Sequence, residues 1–263
     1  MQHEQNHPYL TGPHPRAFAH RGWHVDDLAG MENSLSAFTR AAREGYRYLE
    51  TDVHATSDGV VVVNHDDILD RTTDGHGAIG TQTWSVVSQA LIGHREPMCR
   101  LDHLLEEVPG GLFNIDVKSD QAVEPVLDVL KRTNAWGRVC LASFSDGRLT
   151  RLRKQAGPRL LTSMGPQSVL ALWAGGRLGL PALSGLARGA AAQVPVKQGP
   201  LTVVGPRFLR AGKRIGAEVH VWTVDEPDQM HQLLDLGVDG LVTDRPDLLR
   251  DVLRQRGVWA ERV

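Results

Sequence analysis

The chain has 263 residues, 41% of them hydrophobic and 23% charged, which suits one large domain or two small ones and excludes a disordered or fibrous protein. A formal charge of −2 provides no overall basic field, which argues against nucleic acid as the main partner. Only Cys99 and Cys140 are present, far apart in the chain, so no disulfide framework is expected.

Residues 1–15 are polar and rich in His, Pro and Gln, and read as a flexible N-terminal segment in which His3, His7 and His14 are solvated rather than ligands. With no apolar leader and no run long enough to span a bilayer, residence in the cytoplasm is the expectation. From residue 16 short β-rich runs alternate with amphipathic helical patterns. The runs cover 16–20, 48–54, 113–118, 139–144, 159–164, 191–196, 218–224 and 240–244; the helical patterns cover 33–44, 121–133, 146–155, 166–175, 206–216, 226–236 and 246–255. Eight βα units predict a single α/β domain over residues 16–263, a TIM (β/α)8 barrel. An open doubly wound sheet is the architectural alternative. Between residues 59 and 100 an extra β-run at 60–65, a Thr/Asp/Gly-rich loop and a weak helical piece break the rhythm. This reads as a small insertion after the second strand, placed to wall or cover a site at the C-terminal ends of the strands.

Titratable residues gather where those strands end. His20 and Arg21 close the first run, Glu50 and Asp52 the second, Asp116 and Lys118 the third. Alternation puts residues two apart on one face, so Glu50 and Asp52 point together, as do Asp116 and Lys118. A lone carboxylate pair at a strand end is ordinarily a solvated loop feature. Three carboxylates crowded at a barrel mouth repel one another, and a hard divalent cation with oxygen ligands would relieve that. His65, after the inserted run, joins His20 as a second imidazole able to exchange protons near neutral pH. Arg21 and Lys118 are cations suited to phosphate oxygens. Together these groups describe phosphoryl chemistry.

The sequences AHRG at 19–22, ENSLSAF at 32–38, YLETDVH at 48–54, NHDDILDRTTDGHG at 64–77, FNIDVK at 113–118, VHVWTV at 219–224 and GVDGLVTDRP at 237–246 resemble the glycerophosphodiester phosphodiesterase family across nearly the whole barrel. The resemblance implies a TIM barrel that hydrolyses small glycerophosphodiesters to glycerol 3-phosphate and an alcohol with one divalent cation, Mg²⁺ or Ca²⁺, with Mn²⁺ as a further option. By motif, Glu50, Asp52 and Asp116 resemble the metal ligands, His20 and His65 the general acid and base, and Arg21 and Lys118 the phosphate binders. Trp222 resembles a wall against the glycerol moiety. The family usually has Glu where Asp116 stands, one methylene longer. Its P-E-N-T turn appears as Met31-Glu32-Asn33-Ser34, in which Asn33 or Ser34 can still cap the next helix. Asp244 reads as a cap of the last helix, with Pro246 in its first turn; Asp70, Thr72 and Thr73 read as turn-forming.

Two rival functions share these residues. A sphingomyelinase D-like lyase releasing a cyclic phosphate fits Asp116 in the third carboxylate position, but the expected signal peptide and disulfides are missing from the sequence. A catalytically silent metal-binding barrel is opposed by the presence of every matched polar residue. Oligomeric state is left open by the sequence.

Overall fold

The computed structural model describes residues 7–259. Among these residues, eight parallel strands form a nearly closed barrel: β1 (Arg16–His20), β2 (Tyr48–Ala55), β3 (Leu112–Val117), β4 (Val139–Ala142), β5 (Leu161–Thr162), β6 (Ala191–Pro195), β7 (Glu218–Trp222) and β8 (Gly240–Thr243). Arg16 of β1 lies opposite Gly240 of β8, and Glu218 of β7 opposite Ala191 of β6. Between β5 and β6 a single bridge, Ser163 to Ala191, completes the ring, with Met164 N donating to Ala191 O at 2.8 Å. β2 and β3 are buried along their full length, as expected of strands covered by helices outside and side chains inside.

Helices α1 (Leu35–Arg43), α2 (Leu101–Glu107), α3 (Val123–Arg132), α4 (Asp146–Ala156), α5 (Pro166–Leu178), α6 (Pro206–Ile215), α7 (Pro227–Leu236) and α8 (Pro246–Gln255) surround the strands. Ser34 caps α1 by accepting from Ala37 N at 3.1 Å, while Asn33 turns the chain at φ 62°. α6 and α7 stop at Gly216 and Gly237, both left-handed, where glycine avoids a Cβ clash. Sequence patterning omits α2, a short helix with no side-chain cap at Arg100. It also omits the helical turn Pro181–Ser184 and the hairpin of Lys197–Gln198 and Leu201–Thr202.

The insertion begins with Val61–Val63, antiparallel to the end of β2 with Val63 opposite Val53. Residues 64–100 then fold with Met31 and Val62 over a small apolar cluster that includes Leu69, Ile79, Val87 and Ile92.

A flexible tail through residue 15 is not what the structure shows for residues 7–15. Tyr9 is 1% exposed and packs edge-on against Tyr48, with ring centroids 5.3 Å apart. Its carbonyl accepts from Tyr48 Oη at 2.7 Å, and Arg16 donates to the carbonyls of Leu10 and Gly12. The N-terminal end of a barrel exposes apolar side chains, here Phe18, Tyr48, Leu112 and Cys140. Tyr9 covers them and removes that surface from water. His7 accepts from Tyr9 N, and His14 lies 3.3 Å from Asp239; His3 is outside the described residues.

Candidate active site

β1, β2 and β3 run side by side in a register that sets His20 opposite Glu50, Glu50 opposite Asn114, and Asp52 opposite Asp116. Paired residues of parallel strands share a face, here the barrel interior. Arg21 follows β1 in a left-handed turn, φ 55°, before Gly22 at φ 89°. A Cβ on Gly22 would come within 2.8 Å of the Ala37 backbone, so this close approach of β1 to α1 requires glycine.

The carboxylates meet in part as the sequence predicts. Asp52 and Asp116 face one another across the Lys118 ammonium, whose Nζ is 2.8 Å from Asp52 Oδ1 and 2.8 Å from Asp116 Oδ2. Arg21 Nε approaches Asp52 Oδ2 at 3.3 Å, and Glu50 turns toward His20, Oε2 to Nε2 3.6 Å. All three carboxylates are buried. Burial raises the Glu50 pKa well above the usual carboxylate range, and the Asp52 charge adds to the rise. Burial likewise raises that of Asp116, against the pull of Lys118. For Lys118 burial works the other way, yet Asp52 and Asp116 raise its pKa.

Among the described residues, no three Asp, Glu, His or Cys side chains are already spaced as a metal cage, because Lys118 stands between two of the carboxylates. Even so, Glu50 Oε2 and Asp116 Oδ1 are buried without a hydrogen-bond partner. An unpaired buried carboxylate oxygen is costly, and a hard cation is one group that would satisfy it. The donor set therefore fits a divalent ion.

Each imidazole is held through Nδ1 by a carboxylate. His20 Nδ1 lies 2.7 Å from Asp244 Oδ1, which also takes His24 Nε2 at 3.1 Å, and Asp244 N donates to Asp225 Oδ1 at 2.8 Å. Asp244 is thus a partner of His20 and not the cap of the last helix. Arg245 holds the cap position of α8, with no side-chain cap bond. Burial alone would raise the Asp244 pKa, but His20 and His24 bring it far below the ordinary value. For His20 burial disfavours the proton, and Glu50 and Asp244 outweigh it to give a raised pKa.

His65 Nδ1 lies 2.6 Å from Asp66 Oδ1, and its carbonyl lies 3.1 Å from His54 Nε2. The hydrogen bond from Arg71, 2.6 Å from Nε to Asp66 Oδ2, is the main reason the Asp66 pKa falls to about 2. Arg71 also donates twice to Glu32, which accepts from Arg21 Nη1 at 2.9 Å. The insertion and the first βα turn are thereby joined by charge.

His20, Arg21, Glu50, Asp52, His65, Asp116, Lys118 and Trp222 all line one cavity of about 550 Å³. Trp222 meets Phe144 edge-on, with centroids 5.9 Å apart. Beyond them the wall becomes apolar, formed by the start of α5 and by residues 194–203. Thr73 and Asp70 are turn-forming as expected: Thr73 Oγ1 donates to Leu69 O, and Asp70 accepts from Gly77 N. A second cavity, about 400 Å³ near Gly175 and Arg207, contains none of the predicted side chains. Sequence reasoning missed Asp244 as a partner of His20, Asp66 and His54 as supports of His65, and Phe144 in the wall. The only local sign of Phe144 is its place just after β4, at the strand end where barrel sites form.

The sequence model of the glycerophosphoryl diester phosphodiesterase family matches residues 20–248. A Mycobacterium tuberculosis protein named probable glycerophosphodiester phosphodiesterase 2 is 42% identical over 245 residues, covering 92% of this chain and 92% of its own length. The crystal structure of a glycerophosphodiester phosphodiesterase from Parabacteroides distasonis superposes with a TM-score of 0.75 at 23% identity, covering 94% of this chain and 100% of that one. A phosphodiesterase of Oleispira antarctica, solved in complex with the product sn-glycerol-3-phosphate, does so with a TM-score of 0.72 at 22% identity, covering 92% of this chain and 97% of that one. The family match spans the barrel from His20 to Leu248 and takes in the whole predicted site, so the chain belongs to the glycerophosphoryl diester phosphodiesterase family.

Proposed function

We propose that this enzyme hydrolyses small glycerophosphodiesters to glycerol 3-phosphate and an alcohol, with one divalent cation, Mg²⁺, Ca²⁺ or Mn²⁺, held by Glu50, Asp52 and Asp116. The observation that carries the reading is the pairing of two imidazoles, each tied to a carboxylate through Nδ1, with buried carboxylate oxygens that lack a partner in the same cavity. A carboxylate on Nδ1 fixes that nitrogen as the donor and leaves Nε2 to face the reacting atoms. One imidazole then takes the proton of the nucleophile, and the other gives a proton to the departing alcohol oxygen.

When bound, the cation supplies a Lewis acid to a phosphate oxygen. Arg21 and Lys118 offset the remaining phosphate charge as it grows in the transition state. Glu32 holds the Arg21 guanidinium in place at 2.9 Å, so little ordering is left to do on binding. Trp222 closes one side as an apolar wall for the glycerol carbons. The sn-glycerol-3-phosphate held by the Oleispira protein is the product this reading requires.

A second reading, attack by the substrate's own glycerol hydroxyl with release of a cyclic phosphate, is favoured by Asp116 in the third carboxylate position. Phosphorus NMR of glycerophosphocholine after full turnover separates the two. Glycerol 3-phosphate as the end product supports the hydrolase; a persistent cyclic phosphate overturns it in favour of the lyase.

A further inference from the structure

Acidic and basic residues are not mixed evenly along the chain. Residues 147–217 contain twelve Lys and Arg and no Asp or Glu, which leaves seventeen basic residues against thirty-one acidic ones elsewhere. That segment forms one sector of the barrel wall, from α4 through α5 and β6 to α6. Two of its cations, Arg148 and Arg151, pair with Asp120 at the edge of the sector. Farther on, Arg177, Arg207, Arg210 and Arg214 line the open cavity of about 400 Å³ between the end of α5 and α6. All four are exposed, and no carboxylate is among the residues that line the cavity. Helix dipoles account for part of this, since Arg177 and Arg214 lie in the last turns of their helices, where a cation is stabilising. They do not account for Arg207, in the first turn of α6. Nor do they explain why Arg207, Arg210 and Arg214 stand at i, i+3 and i+7, a spacing that sets like charges side by side at a cost to the helix. Apolar side chains stand beside them. Leu178 lines the same cavity and is 65% exposed; Leu180, whose N donates to Gly175 O at 2.9 Å, is 49% exposed, and Leu186 62%. Exposed leucines next to unneutralised arginines match a surface that is anionic outside and apolar beneath.

We infer that this face, the end of α5 together with the exposed side of α6, docks the protein on an anionic lipid bilayer. Guanidinium groups take the lipid phosphates, and the leucines enter the boundary between head groups and chains. A small soluble polyanion is the poorer occupant: α5 ends in the cavity, and its last carbonyls carry the negative end of that helix, whereas a bilayer meets the exposed cations from outside. Nucleic acid would leave the exposed leucines without a partner. α5 also lines the active-site cavity, through Pro166, Val169, Leu170 and Trp173. The docked face and the barrel mouth are therefore separated by no more than the length of one helix, about 20 Å. The inference stands on the pattern of charge and apolar exposure and does not depend on the hydrolytic reading.

The test is sedimentation of the full chain with vesicles of phosphatidylcholine alone and with vesicles of equal parts phosphatidylcholine and phosphatidylglycerol. The mixed vesicles should bind at least about tenfold better than the neutral ones, and high salt should release the protein. The triple variant Arg207→Gln, Arg210→Gln, Arg214→Gln should weaken binding by about a hundredfold, about fivefold for each cation removed. The double variant Leu178→Gln, Leu180→Gln should weaken it by about tenfold. Both variants change exposed residues outside the active-site cavity. Their circular dichroism and their turnover of glycerophosphocholine should match the parent, as is usual for surface substitutions.

Absence of vesicle binding, equal binding to neutral and mixed vesicles, or binding that either variant keeps at the parental level would overturn the inference and leave the hydrolytic reading standing. Calorimetry with inorganic triphosphate and with duplex DNA covers the other occupants. Binding of either one, lost in the arginine variant, by a protein that does not sediment with mixed vesicles would also overturn it, and would give the cavity to a soluble anion or to nucleic acid.

Discussion

A neutral imidazole offers one N–H and one lone pair, and the partner of one nitrogen decides the role of the other. At His20 that partner is Asp244, 2.7 Å from Nδ1, and at His65 it is Asp66, 2.6 Å away. Replacing either histidine with alanine should lower kcat by about 10² to 10⁴-fold. With p-nitrophenol as the leaving group, which departs without a proton, the variant that lacks the general acid should recover and the other should not; a near-parental rate on glycerophosphocholine would remove that histidine from the mechanism. Asp244→Asn keeps the shape of the side chain but no longer fixes the Nδ1 proton. It should lower kcat by about 10- to 100-fold with KM little changed, a split measurable by steady-state kinetics. The imidazoles were legible in the sequence through their motifs. Asp244 was not legible as a partner, because the turn Thr243-Asp244-Arg245-Pro246 satisfies a helix-cap pattern just as well. Its contact with His20 joins the first strand to the last, and nothing local in a sequence reports that closure.

Strand alternation made the cluster on β2 and β3 readable, since a period of two leaves little choice about which side chains share a face. It could not tell that Lys118 would lie between Asp52 and Asp116, which depends on side-chain rotamer and not on period. The short elements escaped for a similar reason: α2 has seven residues and each strand of the 197–202 hairpin has two, too few for a periodic signal. The polar composition of the N-terminal segment hides its packing, which depends on the Tyr9 ring and on backbone carbonyls that accept from Tyr48 and Arg16. Tyr9→Ala should therefore lower stability by about 3 kcal/mol, the cost of removing a buried aromatic ring. Chemical denaturation reads this as a lower midpoint, and an unchanged midpoint would mean that residues 7–15 contribute nothing to the barrel.

At the scale of the whole molecule, the barrel separates an apolar floor from a charged mouth, and a half-buried carboxylate paired with buried Arg16 links the floor to the ring of strands. Glu218 accepts from Arg16 at 2.6 and 2.9 Å and lies 2.9 Å from His220 Nε2. Burial alone would raise its pKa, but the bonds from His220 and Arg16 bring it from 4.5 down to about 2. A depressed carboxylate stabilises the fold above its unfolded pKa, and that contribution disappears as pH falls through the folded value. Glu218→Gln should cost about 3 kcal/mol at neutral pH, since it leaves Arg16 buried beside a neutral group. The gap from the parent should close as the pH falls from about 4.5 towards 2, read from urea midpoints across that range; a gap independent of pH would contradict the ion pair. The fold class itself was legible from eight repeated βα units, and closure of the ring makes the site one object, bringing β8 to β1 and the insertion over β2.

Diester hydrolysis is proposed to depend on a divalent cation held by the carboxylate cluster. Choline release from glycerophosphocholine by protein stripped with EDTA, then supplied in turn with Mg²⁺, Ca²⁺ and Mn²⁺, tests it directly. Turnover should be lost on chelation and recover with at least one of these ions, while Glu50→Gln weakens metal binding in calorimetry without unfolding the barrel. Full turnover in excess EDTA would contradict it.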